Sequence, residues 1–190
     1  MESLTFQTHS ANLTEEQFFL LCSDNRDLRI ERDKDKNILI MAPTGSSTGN
    51  FNSEILRALG NWNSKLKNGY TFDSSSGFTL PNSAVRSPDT SWIEKSRWEK
   101  ISKEDQEKFA HICPDFVIEI FSKSDSLPQL NKKMEEWIEN GCQLGWLINP
   151  YEKTTSIYFP NTEIEIVSFD KPLYGKNVLP GFELVIAQVL

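Results

Sequence analysis

A few residues of this chain stand where their chemistry conflicts with their neighbours. Glu119 interrupts the apolar run Phe116–Phe121. An ionised carboxylate inside a buried strand costs several kcal/mol unless it is paired or holds a metal ion. Its ordinary alternatives are an edge strand or a salt-bridged glutamate. Asp115 shares its strand face but lies roughly 13 Å away, at about 3.3 Å per residue, so the two cannot easily grip one ion. A carboxylate partner for Glu119 must come from elsewhere. Asp89, directly after Pro88 and before the strand-like Thr90-Ser91-Trp92-Ile93, is the best placed by context. Proline suits the beginning of a strand, although an aspartate after it also serves in ordinary turns.

A second pattern carries different chemistry. Gly45-Ser46-Ser47-Thr48-Gly49 spells a GxSxG nucleophile elbow, and Ser47, Asp89 and His111 follow in the chain order of a serine hydrolase. Glycine and serine are also common turn residues, and so short a pattern in a polar loop arises by chance. No Gly-Lys-Ser/Thr follows, so this is not a phosphate-cradling loop.

The elements that must position these groups can be read from periodicity. Leu13–Phe18 is a helix start, with Thr14 as N-cap, Gln17 closing a capping box and Leu13 stapling to Phe18; the helix should run to about Ser23. Leu28–Glu31 and Ile38–Ala42 are strand-like and joined by a turn. From about Asn50 to Leu66, Phe51, Ile55, Ala58, Leu59, Trp62 and Leu66 make one apolar helix face. Glu54 falls near its edge, where it either lies against the sheet or is solvated.

Short strands are expected at Tyr70–Asp73 and Gly77–Leu80, and a helix capped by Ser102 over Lys103–Phe109. After the strand carrying Glu119, a helix begins near Ser126. It tolerates Pro128 in its first turn and ends at Gly141. Its apolar face is Leu127, Leu130, Met134, Trp137 and Ile138. Lys133 sits at the edge of that stripe and can reach back along the sheet, whereas Lys132 is turned about 100° away toward water. Leu144–Ile148 completes a βαβ unit with a right-handed crossover if its strands are parallel. Further strands are expected at Thr155–Phe159, Glu163–Phe169 and Phe182–Ile186.

Bulk properties narrow the function classes. A chain of 190 residues, 38% hydrophobic and 11% aromatic, supplies the core of one domain, 1–190, with 1–26 as an N-terminal helical extension. A net charge of -7 argues against a general nucleic-acid coat protein. It leaves open an enzyme that meets phosphates through a metal. Cys22, Cys113 and Cys142 form no CxxC, and only His9 and His111 are available, which argues against a zinc site. Reduced cysteines, and no basic start with an apolar stretch in Met1–Gln17, point to the cytoplasm. No apolar run approaches the roughly 20 residues of a membrane helix.

Taken together, Ser87-Pro88-Asp89, Pro114–Glu119, Ser122, Asp125, Lys133-Met134 with Glu136-Trp137, and Gly145–Pro150 resemble one nuclease branch. The chain is similar to the Uma-two family of restriction-endonuclease-like proteins, within the PD-(D/E)xK nuclease superfamily, from about Leu13 to Ile186. The resemblance implies an α/β fold, a mixed central β-sheet flanked by helices, with a metal-dependent phosphodiesterase site at one end. On its pattern Asp89 and Glu119 are metal-binding carboxylates, Glu54 is an additional acidic metal position on the first core helix, and Lys133 is the catalytic lysine moved from strand to helix. The chain departs from the pattern at Phe121, where Glu-x-Lys would put lysine, and at Gln129, where an acid is expected.

The activity that this resemblance implies is that of an Mg²⁺-dependent endodeoxyribonuclease, with Mn²⁺ as a substitute. Hard cations take oxygen ligands, and a bound ion would polarise the phosphate and activate a water. Lys133 would orient that water or stabilise developing charge. DNA is the expected partner, no membrane is involved, and a homodimer would let two sites cut two strands. The alternative is a catalytically inactive nucleic-acid-binding or interaction module on the same fold, since fold does not fix function.

Overall fold

The structure, a computed structural model, describes residues 4–6 and 13–189. Strand β1 (Leu4–Phe6) is followed by helix α1 (Glu15–Asp24), β2 (Arg29–Arg32) and β3 (Ile38–Met41). Helix α1 starts as its sequence dictates. Thr14 Oγ1 accepts from Gln17 N at 3.2 Å and Gln17 Oε1 accepts from Thr14 N at 2.9 Å, so two backbone donors at the helix start are satisfied reciprocally. Phe18 is fully buried and packs with Ile30, Ile38 and Val85, with Leu13 against the same cluster. The segment 1–26, expected as a helical extension, thus also supplies a strand, and its helix shares the core of a sheet. Residues 1–3 and 7–12 of it lie outside the described residues.

Helix α2 (Ser46–Leu66) begins four residues before the expected Asn50. Ser47 therefore lies in its first turn, not on the sharp strand-to-helix turn of a nucleophile elbow. His111 is engaged elsewhere, its Nδ1 2.8 Å from Asp105 Oδ1 and its Nε2 3.0 Å from Glu15 Oε2. Asp89 contacts neither Ser47 nor His111, so the serine-hydrolase constellation is not assembled. Phe51, Ile55, Leu59 and Trp62 are buried as the period requires, while Leu66 is exposed at the helix end.

The chain continues through β4 (Gly69–Asp73), β5 (Phe78–Thr79), β6 (Val85–Arg86), β7 (Thr90–Glu94) and the one-turn helices α3 (Lys95–Trp98) and α4 (Lys103–Gln106). Helix α4 stops short of the expected Phe109. Phe109 is drawn inward, where its ring meets Phe18 and Phe19. Then come β8 (Phe116–Ile120), α5 (Leu127–Glu139), β9 (Leu144–Asn149), β10 (Thr154–Tyr158), β11 (Glu165–Ser168), β12 (Pro172–Tyr174), β13 (Glu183–Val185) and a 3₁₀ turn at Ile186–Gln188.

These strands form a six-stranded sheet in the order β11-β10-β9-β8-β7-β4, a five-stranded sheet β1-β3-β2-β6-β5, and the pair β12-β13. Only β8 and β9 run parallel, as the βαβ spacing predicts; the other named pairings are antiparallel. Strand β8 is buried throughout, and its alternation divides the core. Phe116, Ile118 and Ile120 pack with the apolar face of α2, while Val117 packs with Met134 and Trp137 of α5. Each fully buried side chain of this size is worth about 1.5–3 kcal/mol over exposure.

Glu119 belongs to the α5 side. Helix α5 can approach because β9 has glycine at 145, where an added Cβ would lie 2.5 Å from Met134 Cε. Its last residue is Glu139, and Gly141 just beyond, with a φ of 109°, turns the chain away from the helix.

Candidate active site

The two larger sheets are joined by the short passage Ser87-Pro88-Asp89, between β6 and β7, and the charged residues converge there. Thr90 pairs with Ile118 across β7 and β8, so Asp89 arrives beside the end of β8. Its Oδ2 accepts from Ile120 N at 2.8 Å and its Oδ1 from Arg29 Nη1 at 3.0 Å. Asn52 of α2 donates to the Asp89 carbonyl at 3.2 Å and accepts from Thr90 Oγ1 at 2.9 Å, fixing the start of β7 against the helix.

Glu119 points from the middle of the sheet toward α5 and is 2% exposed. Its Oε1 accepts from Trp137 Nε1 at 3.0 Å and lies 2.8 Å from Lys133 Nζ. Lys133 and Trp137 are one helical turn apart and reach the same carboxylate. Lys133 Nζ also donates to Glu31 Oε1 at 2.9 Å and to the Ser87 carbonyl at 3.3 Å. The lysine is therefore held between two buried glutamates.

Glu31, on β2, is equally enclosed. Besides Lys133 it accepts from Ser87 N at 3.1 Å and from Arg86 Nη1 at 3.1 Å. Arg86 in turn donates to Glu136 of α5 at 2.6 Å. The Ser87 carbonyl also accepts from Arg29 Nη2 at 2.7 Å. One peptide passage is thus gripped from β2 and α5 at once.

The charges do not balance. Glu31, Asp89, Glu119 and Glu136 face Arg29, Arg86 and Lys133, which leaves one negative charge in excess. Glu119 is the carboxylate of the four whose neutral form burial favours most. Burial pushes its carboxyl up to about 7, with Asp89 and Glu31 adding to the effect and Lys133 and Arg29 opposing it. Burial would raise Glu31 too, but Lys133, Arg86 and Arg29 outweigh it and hold that carboxyl down to about 2. Burial disfavours the charged Lys133, yet Glu119 and Glu31 more than offset this and raise its pKa.

The expected residues are accordingly brought together only in part. Asp89, Glu119 and Lys133 meet, and Asp115 is kept apart by its own partners, Arg97 and Glu94 N. Glu54 is not drawn in: its carboxylate pairs with Arg57 on the exposed side of α2. Asn52 and Glu54 flank opposite sides of the Phe51–Ile55 stripe at 100° per residue, so only the former turns toward β7.

Four contributors were not anticipated: Glu31, Arg29, Arg86 and Glu136. Arg29 and Glu31 alternate with Ile30 along β2, and that alternation of charge with an apolar residue in a strand was the available signal. Glu136 lies three residues after Lys133, on the same flank of α5.

The donor chemistry suits a hard divalent cation. Asp89 and Glu119 offer carboxylate oxygens at the seam of the two sheets, in a cluster with one more carboxylate than cation. No group of three or more His, Cys, Asp and Glu side chains among the described residues already has the arrangement of a metal site; the resident cations Arg29 and Lys133 occupy part of that space. A cavity of 240 Å³ lies elsewhere, between α1 and the 102–111 segment, lined by Phe18, Phe19, Phe109 and His111. Glu15, Glu104 and Asp105 line it as well, and it holds none of the carboxylates of the cluster.

No curated protein matches the chain. Among solved structures, it is similar to a crystal structure described as that of a putative nuclease belonging to DUF820 from Anabaena variabilis ATCC 29413, with a TM-score of 0.75 and 24% identity over 93% of this chain and 97% of that one. That likeness establishes the fold: a mixed α/β architecture with helix-flanked sheets. The sequence pattern of the Uma2 family, described as "Putative restriction endonuclease", matches residues 15–187. A match of that length spans the six-stranded sheet, every strand of the five-stranded sheet but β1, and every residue of the charged cluster, and the chain belongs to the Uma2 family.

Proposed function

We propose that this protein is a metal-dependent nuclease that hydrolyses phosphodiester bonds, with DNA as its substrate. The observation that carries this reading is the convergence of buried Glu119 and Asp89 with Lys133 at the seam of the two sheets, in a cluster where four carboxylates meet three cations. Four carboxylates against three cations leave the cluster one cation short, and a bound divalent ion would supply that charge. Asp89 and Glu119 would hold Mg²⁺ or Mn²⁺, which when bound would polarise the phosphate and lower the pKa of a water.

The chain's own residues do the remaining work. Lys133 carries a positive charge that Glu31 and Glu119 keep in place, in a poorly hydrated setting where it is worth more to developing phosphate charge than in water. Trp137 fixes the rotamer of Glu119, and the Ile120 amide fixes that of Asp89. Phe121 leaves the strand without its lysine, and Lys133 supplies an ammonium from the helix instead.

The three cysteines are free, in keeping with a cytoplasmic enzyme acting on DNA. No helix of the described residues is long and apolar enough to cross a membrane. Two sites in a homodimer would account for cutting both strands.

The test is nicking of supercoiled plasmid with Mg²⁺, Mn²⁺ or EDTA, with Glu119→Ala in parallel. Metal-dependent nicking by the wild type alone supports the assignment. A wild type that neither nicks nor binds Mn²⁺ would favour a second reading, a nucleic-acid-binding module. The occupation of Asp89 and Glu119 by internal cations is the observation in favour of that module. It predicts DNA affinity that survives Asp89→Ala and falls with salt.

A further inference from the structure

Arg29 is the most exposed cation of the cluster. Its Nη1 donates to Asp89 Oδ1 at 3.0 Å and its Nη2 to the Ser87 carbonyl at 2.7 Å. Its Nε is buried without a partner, an arrangement that costs free energy. Its side chain is 32% exposed, against 12% for Lys133 and 11% for Arg86. Arg86 is clamped between two carboxylates, Glu31 and Glu136. Arg29 has one, and that one is Asp89, whose second oxygen is already taken by Ile120 N.

We infer that Arg29 is a resident counter-ion of Asp89 that a divalent cation displaces, and that its freed guanidinium then binds the phosphate being cleaved. This rests on the nuclease reading. A guanidinium and a dication compete for the same carboxylate, because each is drawn by the same charge and their mutual repulsion disfavours sharing it. Arg29 starts from the rim of the site, so little side-chain motion separates the two positions. A planar fork of donors matches phosphate oxygens, and the unpartnered Nε is a donor that the resting arrangement leaves unused. The cluster would thus stay nearly neutral before metal arrives and gain a phosphate ligand when it does.

The experiment measures Mn²⁺ affinity, by calorimetry and by the spin signal of free Mn²⁺, for wild type, Arg29→Gln and Arg29→Lys, with plasmid nicking alongside. Displacement predicts that Arg29→Gln binds Mn²⁺ about fivefold or more tightly than wild type, the scale of one partly exposed ion pair. Arg29→Lys should stay near wild type in affinity. Nicking at saturating metal should fall about 100-fold in Arg29→Gln, the scale of one lost transition-state donor.

Should the variants fold poorly, the ¹⁵Nε resonance of Arg29 in the wild type must move on adding Mg²⁺. Unchanged Mn²⁺ affinity in folded Arg29→Gln, or a static Arg29 resonance, overturns the displacement. Tighter metal binding with undiminished nicking overturns the phosphate role. A wild type that binds no Mn²⁺ at all overturns the nuclease reading itself, an outcome distinct from the other two.

Discussion

Lys133 Nζ stands 2.8 Å from Glu119 Oε1 and 2.9 Å from Glu31 Oε1, so one helix-borne ammonium links a strand of each large sheet. Helix α5 carries it across the seam between them. The two glutamates it joins differ sharply: among the described residues Glu31 has Arg86 and the Ser87 amide as further donors, while Glu119 has the Trp137 indole alone.

That difference sets a pH dependence. Glu119 is raised from its ordinary 4.5 to about 7, so the folded state holds its proton more tightly than the unfolded chain. This contribution is complete below 4.5 and is lost as pH rises through about 7. Glu119→Gln removes the loss, so its stability relative to wild type should increase between pH 5 and pH 8, by a difference on the order of 1–3 kcal/mol. Thermal unfolding at both pH values checks it. A pH-independent difference would mean that Glu119 is already ionised at pH 5.

Glu31 behaves oppositely. Held at about 2 against an ordinary 4.5, it stabilises the fold above 4.5 and loses that contribution as pH falls toward 2. Glu31→Ala strands Lys133 and Arg86 beside one partner fewer, and should cost about 3–5 kcal/mol by denaturant unfolding at pH 7. A loss below about 1 kcal/mol would show that the pairing merely breaks even.

Trp137→Phe keeps an aromatic ring in the core but removes the donor to Glu119 Oε1. Support of this kind is worth about 10–100-fold in metal affinity or activity, so Mn²⁺ binding and nicking should both drop in that range while the fold persists. Equal affinity would separate the indole from the function of the carboxylate.

Glu54→Ala should leave Mn²⁺ affinity and nicking within about twofold of wild type, since its one ion pair is with exposed Arg57. Asn52→Ala should do more harm, because it releases Thr90 and the Asp89 carbonyl. Loss of metal binding in Glu54→Ala would restore the acidic-ligand role that the family resemblance suggests for this position.

How much of this could be read in the chain depends on range. Capping, the apolar face of α2, the β8–α5–β9 unit and the burial of Glu119 follow from contacts within a few residues or one helical turn, and such patterns are written locally. Asp89 and Lys133 were identifiable by residue type and by their place at an element's edge. The partners were not. Lys133 and Glu31 are 102 positions apart, Arg29 and Asp89 are 60 apart, and no local period carries a pairing of that reach. Glu54 failed to join for the same reason: helical spacing says which flank a residue occupies, but only packing against β7 decides that Asn52's flank faces the site. The residue types alone determined that this chain has buried carboxylates in need of cations. The closure of two sheets around Ser87-Pro88-Asp89 decided which cations they meet.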